Sequence, residues 1–262
     1  MIKISIIGGG NMGEAILSSI RKKYFVMVAE KDPKRQEYLR KTYKIKAEDL
    51  KNAVPSSEVV IIAVKPQDID EVLRDMNSLL GVNKLVISIA AGITTAFIEK
   101  KLPEKTRVIR AMPNMPAMIG QGITAVSKGQ YSRQSDLDLA CRIFEHVGKT
   151  VVVSEDLIDA VTAVSGSGPA YVFLFLECLI KAAQKVGLSE DLAKQLVKTT
   201  FSGSMNLLEK QKEDAANLRA KVTSKGGTTQ AATDVFMNSK IDEIIAQAVS
   251  AAKKRASELS RS

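Results

Sequence analysis

The sequence predicts an α/β amino-terminal domain with a largely parallel sheet, followed by an all-α carboxy-terminal domain. Three observations support this fold class. Short β-branched runs alternate with amphipathic stretches as far as residue 155. A glycine-rich turn joins the first of these runs to the first amphipathic stretch. Beyond that point nearly every segment has helical periodicity, which is typical of two domains of different class.

The amino-terminal elements are predicted in alternation. The predicted strands are Lys3–Ile7, Val26–Glu30, Val59–Val64, Leu85–Ile89, Val108–Ala111, Gly122–Ser127 and Val151–Val153. The predicted helices are Met12–Lys22, Pro33–Tyr43, Asp68–Leu80, Thr95–Lys101 and Ser132–Phe144. Because the strands are apolar along nearly their whole length, we expect a parallel sheet covered on both faces.

The carboxy-terminal elements are all predicted as helices. They are Asp156–Val164, Ala170–Val186, a helix capped by Ser189 that runs toward Glu209, and Ile241–Leu259, with Glu209–Ala220 as an exposed connection. Ala170–Val186 is apolar nearly all round, which predicts burial from several sides. We therefore predict domains 1–155 and 156–262. The second domain carries more apolar surface than one copy can cover, so we predict that it is a dimerisation domain.

Composition excludes several classes of function. The only histidine is His146, so neither histidine-dependent nucleophilic catalysis nor a cysteine–histidine metal site is expected. The two cysteines, Cys141 and Cys178, lie among apolar residues and are predicted to be small buried side chains of a cytoplasmic protein. No secretory signal and no uncharged apolar run of about 18 residues is visible, so no membrane span is expected.

The net charge of +9 indicates attraction to anions. The basic residues are dispersed among acidic ones, and the aromatic residues, 5% of the chain, do not interleave with them. A platform for stacking bases would need such interleaving, so nucleic-acid binding is not expected.

The glycine-rich turn predicts a dinucleotide site. Gly8, Gly10 and Gly13 form the pattern G-x-G-x-x-G directly between a strand and a helix. In a Rossmann-type domain these glycines make the tight turn, admit the pyrophosphate and allow close packing of the helix on the strand. Asn11 precedes and Met12 begins the predicted helix, whose unpaired N–H groups attract phosphates.

The choice between NADH and NADPH stays open at the sequence level. Glu30 ends the second strand about 20 residues beyond the glycines, where an acid normally binds the ribose hydroxyls. Lys31, Lys34 and Arg35 follow and offer positive charge to a 2′-phosphate.

Two further loops should line the same crevice, because ligands of open parallel sheets bind beyond the carboxyl ends of strands. The residues of these loops are Ala63, Val64, Lys65 and Pro66 after one strand, and Ala90, Ala91 and Gly92 after the next. Their small side chains leave room for ribose and nicotinamide.

Three later segments have unusual composition: Arg110–Pro116, Val164–Tyr171 and Val222–Ala231. The last contains four hydroxyl side chains and two adjacent glycines at the start of a helix. Helix capping needs only one hydroxyl, so we predict a carboxylate-binding loop here.

Together these segments resemble the pyrroline-5-carboxylate reductase family, in order and along essentially the whole chain. The match covers the glycine turn, Ala63–Pro66, Ala90–Gly92, Met112–Asn114, Ser165–Tyr171 and Thr223–Thr229. One departure is Lys225, where the family often has proline. The resemblance also carries an adenosine contact to Asn52.

The resemblance implies reduction of 1-pyrroline-5-carboxylate to L-proline by NADPH or NADH. It implies interleaved homodimers, often in larger rings, with an active site completed by the partner subunit. The implied substrate residues are Ser224, Gly226, Gly227 and Thr228 for the carboxylate, Thr229 for the ring nitrogen as the catalytic candidate, and Asn114 and Pro113 beside the nicotinamide.

Three other functions remain as alternatives. A β-hydroxyacid dehydrogenase would carry a catalytic lysine four residues after Gly168, where this chain has Val172. A non-catalytic dinucleotide sensor would need the glycine turn but not the Thr223–Thr229 loop. A basic nucleic-acid binder would show steeply salt-dependent binding.

Overall fold

The computed structural model describes residues 1–261, with side chains described to residue 259. Eight strands form one sheet in the order β3-β2-β1-β4-β5-β6-β7-β8. The strands are β1 (Lys3–Ile7), β2 (Phe25–Ala29), β3 (Lys46–Glu48), β4 (Val59–Ile62), β5 (Leu85–Ser88), β6 (Arg107–Met112), β7 (Gly122–Lys128) and β8 (Gly148–Val152). The predicted fold class, a parallel-rich Rossmann-type sheet followed by helices, is confirmed.

The direction of the sheet explains where a ligand can bind. Neighbouring strands are parallel except for β6 and β7, which are antiparallel. The chain builds outward from β1 to β3 on one side, then returns to start β4 on the other side of β1. Ile7 is in register with both Ala29 and Ile62, so three strand ends meet there. This reversal of strand order is the usual ligand position in doubly wound sheets.

Helices cover both faces of the sheet and bury one apolar cluster on each face. They are α1 (Asn11–Ile20), α2 (Pro33–Tyr43), α3 (Leu50–Ala53), α4 (Ile69–Asn77), α5 (Thr95–Lys101) and α6 (Gln134–Phe144). The cluster under α1 contains Ile16, Leu17 and Phe144, none of which is exposed to solvent. The core therefore fixes the strand ends and helix starts from which the loops project.

The remaining helices are α7 (Ile158–Val161), α8 (Gly168–Lys185), α9 (Glu190–Gln211), α10 (Ala215–Lys221), α11 (Thr228–Asn238) and α12 (Ile241–Arg261). The predicted helix Asp156–Val164 is in fact three short pieces: a 3-10 turn, α7 and a π-helical turn over Thr162–Gly166. Ser189 caps α9 as predicted, because its hydroxyl accepts the N–H of Leu192 at 3.4 Å. The predicted connection Glu209–Ala220 is wrong in part, since α9 and α10 occupy most of it.

Packing divides the chain into two compact units. One contains Met1–Pro169 together with the end of the chain from Ala251, and the other is Ala170–Ser250. Within the second unit, Phe175 packs against Phe201 and Phe236 with ring centroids 5.7 and 6.4 Å apart. The boundary near residue 155 stays a prediction.

The predicted burial of the long apolar helix is wrong for the single chain. No residue of α8 is buried, and Phe173 and Leu174 are 56% and 60% exposed. Cys178, on the same helix, is exposed rather than buried. Burial of an all-round apolar helix needs neighbours on every side, and one copy of the chain does not supply them.

The stretch Glu155–Lys185 is long and apolar enough to cross a membrane, judged by length and composition only, with a mean hydropathy of 1.5 in its most apolar window. The expectation that the chain has no membrane span stays a prediction. The same two criteria are met by apolar helices that pack against a second copy of a chain, so they do not identify the surroundings of α8.

Candidate active site

The glycine-rich turn joins β1 to α1 in a conformation that requires glycine. Gly8 has φ of +100°, and a Cβ on it would lie 2.8 Å from the carbonyl oxygen of Ala63. A Cβ on Gly13 would collide with the carbonyl oxygen of Gly8, because α1 begins so close to the turn. Gly10 faces open space instead, with no atom within 4 Å of its Cβ position. The turn thus leaves an opening above Gly10.

A cleft of about 610 Å³ lies at this opening, at the carboxyl ends of β1, β2 and β4. Its size falls in the range of small-molecule sites, about 300–1,000 Å³. Gly8 and Gly10 line it on one side, and Ala63, Val64 and Lys65 line it on another. The structure therefore brings the first two predicted segments together at the reversal of strand order.

The start of α1 supplies the donors for this cleft. Gly10 is the N-cap and no side chain caps the helix, so the first-turn N–H groups of Asn11, Met12 and Gly13 have no acceptor within the helix. An uncapped helix start above an open glycine position fits a dinucleotide pyrophosphate, whose negative charge such amides attract. Asn11, Met12 and Gly13 do not themselves line the cleft, so their contacts with the cofactor stay predictions.

Glu30 lines the cleft with a fixed carboxylate. One oxygen accepts the N–H of Gly9 at 2.8 Å, and the other accepts the N–H of Asp32 at 3.0 Å. A carboxylate has about four acceptor positions, so both oxygens can still accept ribose hydroxyls. Lys31 lines the same cleft, is 82% exposed, and lies 3.8 Å from a carboxylate oxygen of Asp68. Glu30 and Lys31 therefore place a negative and a positive charge at the same end of the cleft.

Arg35 is held away from a role in binding a 2′-phosphate. Its Nε donates to the carbonyl oxygen of Gly9 at 2.6 Å, and its guanidinium pairs with Glu14 and lies over the ring of Tyr38. Burial alone would raise the pKa of Glu14, but hydrogen bonds from Tyr43, Arg35 and Tyr38 lower it overall. Arg35 therefore braces the glycine turn against α1 and α2.

Asn52 and Pro66 were predicted to bind the cofactor, but neither lines the cleft. Asn52 is exposed within α3, and its neighbours Asp49 and Leu50 line the cleft instead. Pro66 starts a 3-10 turn just beyond the lining residue Lys65. The cofactor contacts assigned to Asn52 and Pro66 stay predictions. Asp49 was missed because nothing in the sequence marks it except its position before a short helix.

The Ala90–Gly92 loop lies under the end of the chain. Gly92 has φ of +75°, and a Cβ on it would lie 2.7 Å from the Cβ of Leu259 in α12. Ala90 and Gly92 are buried, and Ala91 is half-buried. None of the three lines the cleft, so their assignment to the cofactor also stays a prediction.

The Met112–Asn114 segment is joined to the Ser165–Gly166 segment. The Asn114 amide nitrogen donates to the Ser165 hydroxyl at 3.2 Å, and its oxygen accepts the N–H of Ile123 at 3.0 Å. A Cβ on Gly166 would lie 2.7 Å from the Met112 Cε, so only glycine fits without a shift. Gly166 ends a π-helical turn, a feature frequent at functional sites. Asn114 and the adjacent Pro113 are thus placed by packing, with the Asn114 amide already bonded.

A buried ion-pair network beneath these segments was missed by the sequence analysis. Arg110 is 3% exposed and lies 3.5 Å from Glu155 and 3.2 Å from Asp159. Glu155 also accepts the N–H and hydroxyl of Thr95, and Asp159 accepts the Ser257 hydroxyl at 2.9 Å. The network links β6, α5, α7 and α12. The only signal in the sequence was a charged residue in an otherwise apolar strand.

The predicted carboxylate loop opens α11 in the second unit. Gly227 is the N-cap, and no side chain caps the helix. Thr223 donates its hydroxyl to the carbonyl oxygen of Arg219 at 2.7 Å. The hydroxyls of Ser224, Thr228 and Thr229 donate no hydrogen bond within the described residues. Plain N-capping therefore does not account for the four hydroxyls.

The N–H groups of Gly226 and Gly227 were predicted to hold the substrate carboxylate, but both already donate to acceptors of the chain itself. The N–H of Gly226 donates to the side-chain oxygen of Gln230 at 2.7 Å, and the N–H of Gly227 donates to the carbonyl oxygen of Ser224 at 3.0 Å. Gly226 has φ of +74°, which explains the glycine. The amides that lack a helical acceptor belong to the first turn of α11, at Thr228, Thr229 and Gln230.

Comparison with protein-family models identifies both parts of the chain. Residues 155–259 match a model described as pyrroline-5-carboxylate reductase dimerisation. Residues 3–92 match a model described as NADP oxidoreductase, coenzyme F420-dependent. The first match covers α8, the helix with exposed apolar side chains, and the description of the model supports self-association of this domain.

Known relatives extend over nearly the whole chain. A pyrroline-5-carboxylate reductase of Synechocystis is 42% identical, over 99% of both chains. One of Mycobacterium tuberculosis is 39% identical, over 99% of this chain and 97% of that protein.

Solved structures agree with these relatives. The pyrroline-5-carboxylate reductase of Coxiella burnetii superposes with a TM-score of 0.91 at 34% identity, over 100% of this chain and 99% of that one. The Plasmodium falciparum pyrroline carboxylate reductase with NADP bound gives a TM-score of 0.87 at 26% identity, over 99% and 98% of the two chains. Similarity of this extent in both sequence and fold places the chain in the pyrroline-5-carboxylate reductase family.

Proposed function

We propose that this protein reduces 1-pyrroline-5-carboxylate to L-proline, taking the hydride from NADPH or NADH. The proposal depends most on the loop Ser224–Thr229, where hydroxyls without internal hydrogen bonds lie at a helix start that no side chain caps. The dinucleotide cleft alone is less specific, because it would serve many oxidoreductases. Three free hydroxyls beside first-turn amides offer a site for a carboxylate. The names of the full-length relatives support the same reaction.

The cofactor supplies the hydride chemistry, so the chain's own residues have to bind, orient and exclude water. The pyrophosphate is held by first-turn amides of α1 above Gly10. Ala63, Val64 and Lys65 form the adjoining wall of the cleft. Glu30 binds the ribose hydroxyls and favours NADH, while Lys31 offsets its charge and permits NADPH.

The substrate carboxylate is held by the hydroxyls of Ser224 and Thr228 and by first-turn amides of α11. Gly226 adds its N–H only if the Gln230 side chain turns away, because that side chain accepts it at 2.7 Å. Gly227 serves through its shape, since a Cβ on it would collide with the Ser224 hydroxyl. Lys225, exposed in the same loop, adds positive charge for the incoming anion.

The Thr229 hydroxyl oxygen accepts a hydrogen bond from the protonated ring nitrogen. Its side chain is half-buried and its hydroxyl has no partner in the described part of the chain, whereas its carbonyl accepts the hydroxyl of Thr233 at 2.9 Å. No histidine is needed, because a cyclic imine that enters already protonated has an electrophilic C=N carbon. Asn114 keeps Pro113 in place beside the nicotinamide through its bonds to Ser165 and Ile123.

The working form is a homodimer in which helices of the two copies interleave, and larger rings form from such dimers. The exposed apolar side chains of α8 supply the contact surface. The partner subunit completes each active site. We place the enzyme in the cytoplasm, where reduced thiols such as Cys178 persist.

Steady-state kinetics test the proposal. Purified protein is mixed with 1-pyrroline-5-carboxylate and NADPH or NADH, and loss of reduced-cofactor absorbance is followed together with formation of L-proline. Stoichiometric proline supports the proposal. Cofactor binding without oxidation would indicate a sensor instead. Oxidation of a β-hydroxyacid with NAD(P)⁺, without imine reduction, would indicate the dehydrogenase alternative.

A further inference from the structure

A second cleft lies at the opposite end of the sheet from the glycine turn. It has a volume of about 410 Å³ and is formed at the amino ends of β5 and β6. The segment Gly81–Lys84 before β5 and the segment Pro103–Thr106 before β6 form two walls. Tyr131 and Arg133, just before α6, form the rim. Nothing in the proposed reaction uses this cleft.

The cleft has an excess of positive charge. Four basic side chains line it, and one carboxylate, that of Glu104, opposes them. The basic residues are Lys84, Lys105, Arg107 and Arg133. Cations that share a concave surface focus the field and raise the local concentration of anions.

Lys84 is the most informative member of the set. Its ammonium group donates to the carbonyl oxygens of Pro55, at 2.8 Å, and Ser57. No carboxylate of the described residues lies within 4 Å of it, and burial lowers the pKa of this lysine, against the more distant charge of Glu58. A partly buried cation is normally paired with an anion, and Lys84 has no such partner among the described residues.

The other cations are arranged around Lys84 in two ways. Arg107 is fixed in the wall, because it bonds to Asp136 at 2.6 Å and to the carbonyl oxygen of Asn83. Lys105 and Arg133 are exposed and form no ion pair with any described residue. The cleft therefore offers one partly buried cation at its wall and two unpaired cations at its mouth, beside the half-exposed ring of Tyr131.

We propose that this cleft is a binding site for a phosphate-bearing anion, separate from the cofactor cleft. Lys84 binds the anion from the wall, and Lys105 and Arg133 close over it. Phosphate groups carry enough charge and acceptor oxygens to satisfy several cations at once. A nucleotide and a free polyphosphate share this chemistry, and Tyr131 distinguishes them, because only a nucleotide has a base to stack on its ring.

Calorimetric titration of the purified full-length protein with pyrophosphate tests the site. The variant Lys105→Glu/Arg133→Glu reverses two charges that make no ion pair, so it should fold as the native chain does. Its affinity for pyrophosphate should fall by about 100-fold, since two charged hydrogen bonds are lost and each contributes about a factor of 10. The control Lys22→Glu/Lys23→Glu makes the same charge change on exposed residues outside the cleft lining and should bind nearly as the native chain does.

The cofactor cleft also attracts phosphates, so a third variant separates the two sites. Gly10→Val blocks the opening above the glycine turn and should leave binding at the basic cleft intact. Retention by Gly10→Val with loss in Lys105→Glu/Arg133→Glu supports the proposal. The reverse pattern, or no measurable binding to the native chain, overturns it. In Gly10→Val, whose cofactor cleft is blocked, tighter binding of ATP than of tripolyphosphate would identify a nucleotide site, and equal binding would identify a polyphosphate site.

Discussion

The substitution Thr229→Val removes one hydroxyl from the second residue of α11 and keeps the shape of the side chain. The hydroxyl makes no hydrogen bond within the described residues, so its loss leaves no internal donor or acceptor unpaired. The thermal midpoint should therefore change little. If the hydroxyl bonds the ring nitrogen, its loss should cost about 1–3 kcal/mol of transition-state stabilisation, which lowers kcat/KM for the imine about 5- to 150-fold.

A threonine one turn further along the same helix provides a matched control. The Thr233 hydroxyl donates to the carbonyl oxygens of Thr229, at 2.9 Å, and Gln230, at 3.0 Å. Thr233→Val therefore removes internal hydrogen bonds of the helix, and we expect unchanged kinetics with a small change in stability.

Steady-state kinetics, cofactor titration and thermal unfolding are measured for both variants. We expect Thr229→Val alone to lose activity toward 1-pyrroline-5-carboxylate, with native affinity for the cofactor. Unchanged kcat/KM in Thr229→Val would refute the assignment of Thr229 to the substrate. An equal loss in both variants would mean that α11 is sensitive to any change and that the hydroxyl has no special role.

Three further predictions concern the amino-terminal unit. Gly10→Val fills the open space above the glycine turn. Cofactor affinity measured by titration should therefore fall sharply, while the thermal midpoint stays at the native value. Unchanged affinity would mean that the cofactor does not bind in this cleft. Glu30→Ser removes the carboxylate that repels a 2′-phosphate, so the ratio of kcat/KM for NADPH to that for NADH should rise, and an identical ratio would mean that Glu30 does not face the ribose. Arg110→Met leaves Glu155 and Asp159 without their buried cation and should lower the free energy of unfolding, measured with denaturant, by about 3 kcal/mol. This is the low end for a broken buried pair, because both carboxylates keep some solvent contact. A loss below about 1 kcal/mol would show that the network contributes little.

Much of the amino-terminal fold was predictable because local pattern and tertiary environment agree there. β1, α2 and α5 have the bounds that the sequence predicted, since apolar strands and capped helices mark their own ends. β3 was missed, because Lys46–Glu48 is a three-residue edge strand without an apolar run. A strand of this kind is recruited by the exposed edge of β2 and has no signal of its own.

The surroundings of side chains were less predictable than the elements. The apolar composition of α8 predicted burial, but composition does not say whether the covering surface belongs to the same chain or to a second copy. The partners of Arg110 lie 45 and 49 residues further along the chain, so sequence spacing could not identify them. The glycine turn could be predicted from the sequence because its function depends on the backbone conformation, which the pattern of glycines specifies directly.

The predicted site residues divide in the same way. Gly8, Gly10 and the Ala63–Lys65 loop follow strand ends that meet at the reversal of strand order, so topology alone brings them together. The Ala90–Gly92 loop also follows a strand end, yet Leu259 of α12 covers it. A contact with a helix that comes more than 150 residues later in the chain has no signature in the loop itself.

Isotope transfer tests the central claim most directly, because it follows the hydride itself. The protein is incubated with 1-pyrroline-5-carboxylate and NADPH or NADH that carries deuterium at the nicotinamide C4, and the proline formed is analysed by mass spectrometry. We predict one deuterium on the ring carbon that carried the C=N bond. Of the two cofactors labelled on opposite faces of C4, one should transfer its deuterium in full to proline and the other should retain it. Proline without deuterium from either epimer, or cofactor that stays reduced in the presence of the imine, would contradict the account.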